Sequence, residues 1–334
     1  MAQDSNSKSL ISDYLAVRAG GAGLIDLSAR GRLLVSGSEA ALFLNGLITN
    51  DMKTLELNSW MPAAFANVQG RLLAAVRVIH RDDGFVIDTE NATAETLVKL
   101  LERFTFAGDF HLRDLADVMQ LSIQGKPAAE MLGGVLGEDL SSLSRAAVAG
   151  VAWQNEQITI IRATHTAEDG FDLFLAPASG ESLRDALLAA GAQAVTDEAC
   201  EILRIEAGIG HYGVDMDESN VVTETNLEDA VSFTKGCYLG QEIIVRIKHR
   251  GHVAKKLTGI VFEKDAAIES GAKIFSADEK EIGRVTSSTF SPHLDRTIAL
   301  GYLKYDYLGP GTRVKAGESF GEVSDLPFVR GSWY

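Results

Sequence analysis

The sequence predicts an α+β protein that ends in an antiparallel β-barrel, and two observations support this. Over roughly the first 245 residues, helical segments alternate with β-hairpins, which is typical of α+β lobes and not of a doubly wound parallel sheet. After about residue 250, helical periodicity disappears and short strands follow, divided by Gly, Pro and Asp. We therefore expect two interleaved α+β lobes over residues 1–245 and a barrel domain over residues 250–334.

Hydrophobic spacing and turn residues assign the elements of the first half. A helix is expected over residues 10–20, and the alternating segment GLIDLSARGRLLVSG predicts strands. Ser38 is placed to cap the helix EAALFLNGLI. The segments Leu72–His80 and Phe85–Asp88 form a predicted hairpin around an Asp-Asp-Gly turn, and residues 93–104 have helical spacing.

The remaining elements follow the same rules. Strands are expected at VMQLSI, QITIIRA and FDLFLAP, and helices over Glu181–Ala190 and Asp197–Ala207. The predicted barrel strands are KLTGIVFE, AKIFS, EIGRVTSSTF, TIALGYLK, TRVKAG and SFGEVSD.

Composition and charge exclude several classes of function. The 334 residues carry a formal net charge of −15, so no direct contact with nucleic acid is expected. The N-terminus, MAQDSNSKSL, lacks the apolar region of a secretory signal, and no run approaches the ~20 apolar residues of a membrane span. We expect a soluble, cytoplasmic protein with no membrane partner.

Metal and nucleotide motifs are also missing. The two cysteines, Cys200 and Cys237, have no CxxC spacing, and the seven histidines form no HExxH pair, so no metal site is predicted. A single pair of free thiols fits a reducing compartment. The glycines of RAGGAGLID do not have the GxGxxG spacing, and a strand follows them where a dinucleotide loop needs a helix.

The segment FTKGCYLGQE contains a candidate functional thiol, Cys237. If residues 239–248 form a helix, Cys237 lies just before its N-terminus, and the helix dipole and Lys235 favour a reactive thiolate. The run EIIVRI is β-branched and is also compatible with a strand, which would remove the dipole, and most free cysteines are buried and inert. Cys200, on the apolar face of a predicted helix, is expected in the core.

Two further groups have open interpretations. A basic island of cations without an acid among them is either a solvated helix face or an anion site; it comprises Arg246, Lys248, Arg250, Lys255 and Lys256. Glu206, among apolar neighbours, needs a donor. It forms a helix-end salt bridge, for example with Arg204, or accepts from the N–H edge of a heterocycle such as a pterin or guanine.

The motif KGCYLGQE resembles the signature of YgfZ-type proteins, which are folate-binding relatives of the glycine-cleavage aminomethyltransferase, the T-protein. The resemblance extends over nearly the whole chain, through LIDLSARGRLLVSG, FLNGLITND, NVQGRLL, HTAEDGFDLF and RIEAGIGHYGVD. It implies an aminomethyltransferase-like ring of three domains, with tetrahydrofolate or a derivative in a central channel.

The resemblance also implies roles for individual residues. It implies that Cys237 is a functional thiol and that Lys235 belongs to the same site. The implied folate-binding residues are Glu206 for the pterin, Tyr212 and Asn50 in the shared segments, and a basic residue at Lys255 or Lys256.

One departure separates this sequence from the T-protein. The acidic pair of the T-protein falls on Ala74 and Ala75, and Asp82 and Asp83 in the following turn do not replace it. Acid–base chemistry needs a titratable group within reach of the substrate, so we expect the folate pocket without the transfer reaction.

The resemblance then implies a tetrahydrofolate-binding protein that assists the assembly, repair or activity of iron–sulfur enzymes, including tRNA-methylthiolating enzymes, as its client partners. An aminomethyltransferase and a non-enzymatic scaffold with a vestigial pocket are the alternatives.

Overall fold

The computed structural model describes residues 2–106, 108–264 and 266–334 of the chain. The helices of this part are α1 (Ala2–Arg18), α2 (Ala40–Leu47), α3 (Asn91–Glu102), α4 (Ala128–Leu136), α5 (Pro177–Ala189), α6 (Asp197–Glu206) and α7 (Gln241–Arg250). The strands of the first 245 residues are β1 (Gly23–Asp26), β2 (Gly31–Ser36), β3 (Ser59–Ala66), β4 (Leu72–Arg81), β5 (Gly84–Thr89), β6 (His111–Asp114), β7 (Met119–Gln124), β8 (Val148–Trp153), β9 (Glu156–Arg162), β10 (Gly170–Leu175) and β11 (Gln193–Ala194). The remaining strands are β12 (Lys255–Phe262), β13 (Lys273–Ser276), β14 (Glu281–Ser291), β15 (Arg296–Lys304), β16 (Arg313–Ala316) and β17 (Ser319–Ser324).

The first two-thirds of the chain forms two sheets. The first sheet has the order β11-β1-β7-β10-β9-β8 and is antiparallel except where β1 pairs with β11. The second sheet has the order β3-β4-β5-β2-β6 and is antiparallel throughout. Because β2–β6 lie between β1 and β7 along the chain, the second sheet is inserted into the first in sequence.

The two sheets pack against each other through an apolar layer. Leu34, Ile79 and Val86 of the second sheet contact a cluster that contains Ile161 and Phe174 of the first, and all five are buried. Removing this apolar surface from water stabilises the pair of sheets.

A buried ion network crosses the same interface. Arg77 of β4 pairs with Asp88 of β5 and with Asp172 of β10, which also accepts from His165 at 3.0 Å. Burial alone would raise the pKa of Asp172, but the charges of His165 and Arg77 hold that pKa well below its usual range. The network is therefore paired throughout, as a buried charge requires.

The C-terminal strands close a barrel in the order β12-β15-β14-β13-β16-β17. Its core includes Ile260, Ile274, Val285, Leu303 and Val314, all of them buried. Closure leaves no unpaired strand edge. The predicted α+β class and the C-terminal antiparallel barrel are confirmed.

Several local predictions needed correction. Helix α2 begins at Ala40, and Ser38 does not cap it, because its hydroxyl donates to Asp109 at 2.7 Å. Helix α5 begins at Pro177, four residues before the predicted start. Strand β3, which contains Pro62, was not predicted. Proline is tolerated there because β3 is an edge strand.

Candidate functional site

A cavity of about 880 Å³ lies where the two sheets and the barrel meet. Every part of the fold contributes to its wall. The lining includes Trp60, Pro62 and Arg77 of the second sheet, Arg145 before β8 and Thr164 after β9, Ala207 to Gly210 after α6, Asn226, Leu227 and Asp229 of the following loop, and Lys256, Asp325, Trp333 and Tyr334 of the C-terminal region. We call this the central cavity.

The wall of the central cavity combines aromatic faces, cations and carboxylates. The guanidinium of Arg145 stacks over the Trp333 ring at 4.2 Å, and Lys256 forms an ion pair with Glu228 at the rim. The Asp229 side chain is exposed to the cavity, and desolvation by the surrounding wall, followed by the charge of Glu228, raises its pKa. Such a site can hold a flat ring and an anionic group together.

Glu206 lies behind this wall and does not line it. Its carboxylate is fully buried and accepts from the Tyr14 hydroxyl at 2.9 Å, the Ser291 hydroxyl at 2.5 Å and Nε of Arg18 at 3.0 Å. The next residue, Ala207, begins the lining segment. The carboxylate therefore already has protein donors, and a ligand that bonded it would have to displace one of them.

The ion pair expected for Glu206 exists, but its partner is Arg18 and not Arg204. Arg204 pairs instead with Glu201 at 2.5 Å and with Asp215 at 2.7 Å. The sequence could not rank Arg18 above Arg204, because Arg18 lies 188 residues away from Glu206 along the chain.

The two neighbouring lysines of β12 point in different directions. Successive side chains on a strand face opposite sides of the sheet. Lys256 accordingly lines the central cavity, whereas Lys255 lines a separate cleft and lies 4.0 Å from Glu224. Of this predicted pair, the structure brings Lys256 to the cavity.

Asn50 and Tyr212 lie outside the lining. The Asn50 amide donates to the carbonyls of Pro62, at 2.8 Å, and Asp229, at 3.1 Å, and its oxygen accepts from the Asp51 amide. Asn50 thus fixes two segments of the wall. Tyr212 packs against an apolar cluster beside the sheet, and burial raises its pKa.

The thiol segment lies on a tightly held turn. Cys237 is exposed, whereas Lys235 and Tyr238 on either side are buried. Helix α7 begins at Gln241, so the helical interpretation of EIIVRI is confirmed and Cys237 precedes the helix by four residues. Burial raises the pKa of the other thiol, Cys200, to about 12, and that side chain is half-buried.

Lys235 holds the turn and does not face the thiol. Its ammonium donates to the carbonyls of Asn45 at 2.6 Å, Ile48 at 3.0 Å and Asn50 at 2.6 Å. Burial lowers the pKa of Lys235 to about 8. All three donors of the ammonium are used by the backbone, so none is left to donate to the Cys237 thiol in this arrangement.

Three of the six sequence segments that carry the resemblance meet at this turn. The Leu239 amide donates to the Gly46 carbonyl at 3.1 Å, which joins KGCYLGQE to FLNGLITND. A Cβ on Gly240 would lie 2.5 Å from the Asn67 carbonyl and 3.0 Å from Gly70 Cα, and the φ of Gly240 is +84°. Only glycine fits there, against the turn of NVQGRLL.

The positions of the missing acids lie beside the central cavity but outside it. Arg77 and Pro62 form a cross-strand pair that lines the cavity, and Ala75 with Ala64 is the next pair on that face. Ala75 packs against an apolar cluster, and Ala74 is fully buried in the core of the second sheet. Neither position offers a titratable group.

The sequence missed most of the cavity wall. Trp60, Arg77, Arg145, Asp229 and Trp333 were not predicted, because they come from separate strands and loops that only the tertiary fold brings together. Within the described residues no group of three or more His, Cys, Asp or Glu side chains is arranged to hold a metal ion. No helix of the described part is long and apolar enough to cross a membrane.

Comparison with known proteins identifies the family. Residues 3–235 match the GCVT N-terminal domain, and residues 255–329 match the glycine cleavage T-protein C-terminal barrel domain. The chain is 29% identical over 328 residues to a protein named aminomethyltransferase from Alcanivorax borkumensis, covering 97% of this chain and 90% of the relative. It is 31% identical over 326 residues to the aminomethyltransferase of Thermus thermophilus, covering 96% and 90%.

A solved structure has the same fold. The crystal structure of glycine cleavage system aminomethyltransferase T from Bartonella henselae superposes with a TM-score of 0.87 at 25% identity, over 96% of this chain and 90% of that one. The two matched domains together span both sheets and the barrel. The chain therefore belongs to the glycine cleavage T-protein family.

Proposed function

We propose that this protein binds tetrahydrofolate in the central cavity without catalysing aminomethyl transfer. The observation that carries the proposal is the contrast on one face of β3 and β4. Arg77 and Pro62 line the cavity there. Ala75, which stands where the T-protein has an acid, belongs to the next cross-strand pair on the same face. The proposal is that the cavity keeps its ligand while the neighbouring position offers no acid–base group.

The residues of the cavity fit the chemistry of a folate. Trp60 and Trp333 offer apolar faces for a flat pterin or aryl ring, and the Asp229 carboxylate can accept from an N–H edge. Arg145 and Lys256 supply charge for a glutamate tail. Bound folate supplies a one-carbon carrier. In this assignment Glu206 supports the wall from behind through the segment that follows it.

Trp60 gives this fit a second argument. Its indole Nε1 is buried and has no hydrogen-bond partner among the described residues, although the side chain lines the cavity. Buried donors are rarely left unpaired, so we expect the indole to turn its Nε1 toward an acceptor of the ligand when the cavity is filled.

The same proposal assigns Cys237 as the working thiol in support of iron–sulfur enzymes, including those that methylthiolate tRNA. Its exposure on a turn fixed by Lys235 and by the Gly240–Gly70 contact supports this role. A thiol that acts on a client protein has to be accessible and held in place. The proposal places the protein in the cytoplasm, where thiols remain reduced.

The test compares two cysteine variants in cells that lack the native protein. Cys237→Ser is expected to lose most of the activity of the iron–sulfur clients, measured as methylthiolated tRNA. Cys200→Ser is the matched control, because its thiol is half-buried on α6, and it should retain that activity. Full client activity in Cys237→Ser would refute the role of the thiol.

The alternative function is aminomethyl transfer, and the names of the relatives favour it. It predicts tetrahydrofolate-dependent release of ammonia from an aminomethyl-lipoyl carrier. A vestigial scaffold predicts instead that calorimetry detects no saturable folate binding. Measuring both quantities on one preparation separates the three functions.

A further inference from the structure

Residues 329–334 run from the barrel, past α6, to the loop between β9 and β10. The Val329 amide donates to the Glu206 carbonyl at 3.1 Å. The Trp333 amide donates to the Ala167 carbonyl, also at 3.1 Å, and the Trp333 side chain lines the central cavity. We call residues 329–334 the strap, and it forms one wall of the cavity.

The middle of the strap is bonded to a buried group of charges. The Ser332 amide and hydroxyl donate to the Glu168 carboxylate at 2.8 Å and 2.7 Å. Glu168 also accepts from Arg18 at 2.9 Å, and Arg18 donates to Glu206 at 3.0 Å. All three of these charged side chains are buried. A row of hydrogen bonds therefore joins the strap to the carboxylate behind the cavity wall, and a buried charge keeps such partners.

Gly331 lets the strap approach the loop closely. A Cβ on Gly331 would lie 2.3 Å from Oε1 of Glu168 and 2.5 Å from the Ala167 carbonyl oxygen, so only glycine fits there. Ala167 itself is buried and has a φ of +66°, which residues other than glycine rarely adopt. The loop thus has an uncommon conformation at the residue whose carbonyl receives the strap. The backbone of the strap is fixed in place.

Arg145 holds the Trp333 side chain from the solvent side. Its guanidinium lies 4.2 Å from the centre of the Trp333 ring and donates to the Trp333 carbonyl. Arg145 is exposed, and an exposed cation–π contact is weak. The strap therefore has a firmly bonded middle and, at its end, an indole ring that is held weakly and lines the cavity.

Arg145 has charge to offer a ligand. Within the described part of the chain, its guanidinium has no carboxylate partner. The other cations of the lining are paired, Arg77 with Asp172 and Lys256 with Glu228. A hydrogen bond to a carboxylate is about twice as strong as one to a neutral acceptor. A carboxylate that enters the cavity therefore competes well against the backbone carbonyl that Arg145 now binds.

We propose that the contact between Arg145 and Trp333 is a latch, which the carboxylate of a ligand opens. The carboxylate takes the guanidinium from the Trp333 carbonyl, and the freed indole moves onto the flat ring of the ligand. The latch selects ligands that carry a carboxylate together with an aromatic or pterin ring. This inference rests on the proposed function for the identity of the ligand, which is tetrahydrofolate.

The test is fluorine NMR on the full chain labelled with 5-fluorotryptophan. The chain has three tryptophans, and Trp333→Leu identifies the signal of Trp333 by its loss. Tetrahydrofolate should shift the signals of Trp60 and Trp333. The probe 6-methyltetrahydropterin, which has the ring but no carboxylate, should shift Trp60 alone. Trp153, which does not line the cavity, is the internal control and should keep its signal with both probes.

A pair of arginine variants tests the role of the cation. Arg145→Gln should shift the Trp333 signal in the free protein, weaken tetrahydrofolate binding about tenfold and leave the affinity for 6-methyltetrahydropterin unchanged. Arg330→Gln, at an exposed position on the strap, is the matched control and should match the wild type in both affinities.

The outcomes separate the latch from the proposed function. Saturable tetrahydrofolate binding with an unmoved Trp333 signal overturns the latch alone. So does an Arg145→Gln protein, folded by circular dichroism, that binds both probes as the wild type does or weakens both equally. If calorimetry detects no saturable tetrahydrofolate binding to the wild type, the proposed function fails, and the latch fails with it.

Discussion

Nζ of Lys235 donates to the backbone carbonyl of Asn50 across 2.6 Å, and this bond ties the turn that carries Cys237 to the segment that braces the central cavity. The Asn50 amide in turn donates to the carbonyls of Pro62 and Asp229, two lining residues. The thiol turn and the cavity wall are thus both bonded to Asn50. Displacing one end of this connection should disturb the other.

Replacing Lys235 tests that connection. Lys235→Met keeps the length of the side chain but leaves three carbonyl oxygens without a donor, so the free energy of unfolding should fall by about 1–3 kcal/mol. Urea unfolding measures this loss. Lys53→Met, at an exposed position nearby, is the control and should change stability by less than about 0.5 kcal/mol. Equal stabilities for the two variants would contradict the structural role.

Replacing Glu206 should affect folding more than ligand contact. Glu206→Ala leaves the buried Arg18 with one partner fewer and leaves the hydroxyls of Tyr14 and Ser291 without their acceptor. We expect the free energy of unfolding to fall by about 3–5 kcal/mol. Glu201→Ala is the control, since that acid is 43% exposed in its pair with Arg204, and should cost at most about 1 kcal/mol. If Glu206→Ala were as stable as the control while losing folate, the carboxylate would be a direct ligand contact.

Restoring an acid at Ala74 or Ala75 should not restore transfer chemistry. Ala75→Asp would put a carboxylate against an apolar cluster and cost roughly 2 kcal/mol or more, and Ala74→Asp would bury it completely at a higher cost. Thermal unfolding and ammonia release measure the two effects. Ammonia release from a folded Ala75→Asp protein would show that the position does reach the cavity.

His211 should add a small pH dependence to stability. Its hydrogen bond to Glu90 raises the pKa of His211 above the ordinary value, and Glu90 stays ionised because His211 and Arg30 outweigh its burial and lower its pKa. The stabilisation is complete below the unfolded pKa of about 6.5 and is lost as pH rises through the folded value. The side chain is 43% exposed, so we expect less than about 1 kcal/mol.

Urea unfolding from pH 5.5 to 8.5 checks this sign. The stability difference between the wild type and His211→Gln should be greatest at the acid end and shrink toward the alkaline end. A difference that grows with pH would contradict the assignment of the pair.

The elements of the fold were largely predictable, because local patterns specify them. Alternation and turn residues indicated the β4–β5 hairpin and the barrel strands, and apolar spacing indicated α6. Strand β3 escaped prediction because SWMPAAFA is rich in small residues and contains a proline that only an edge position tolerates.

The site was less predictable, because its contacts join residues that are distant in sequence. Glu206 was singled out correctly as a carboxylate in need of donors, yet those donors, Tyr14 and Ser291, lie 192 and 85 residues away. Lys235 was placed beside the thiol by its spacing alone, and the fold turns its ammonium toward three carbonyls instead. Sequence spacing reports which residues are neighbours along the chain, whereas burial decides what each charge must bind.

The central claim is best tested by titrating tetrahydrofolate into the wild type and into Lys256→Gln by calorimetry, with ammonia release from the aminomethyl-lipoyl carrier measured on the same samples. We expect saturable 1:1 binding to the wild type, affinity about tenfold weaker in Lys256→Gln, and no folate-dependent ammonia from either protein. The absence of saturable heat, or folate-dependent ammonia release by the wild type, would contradict it.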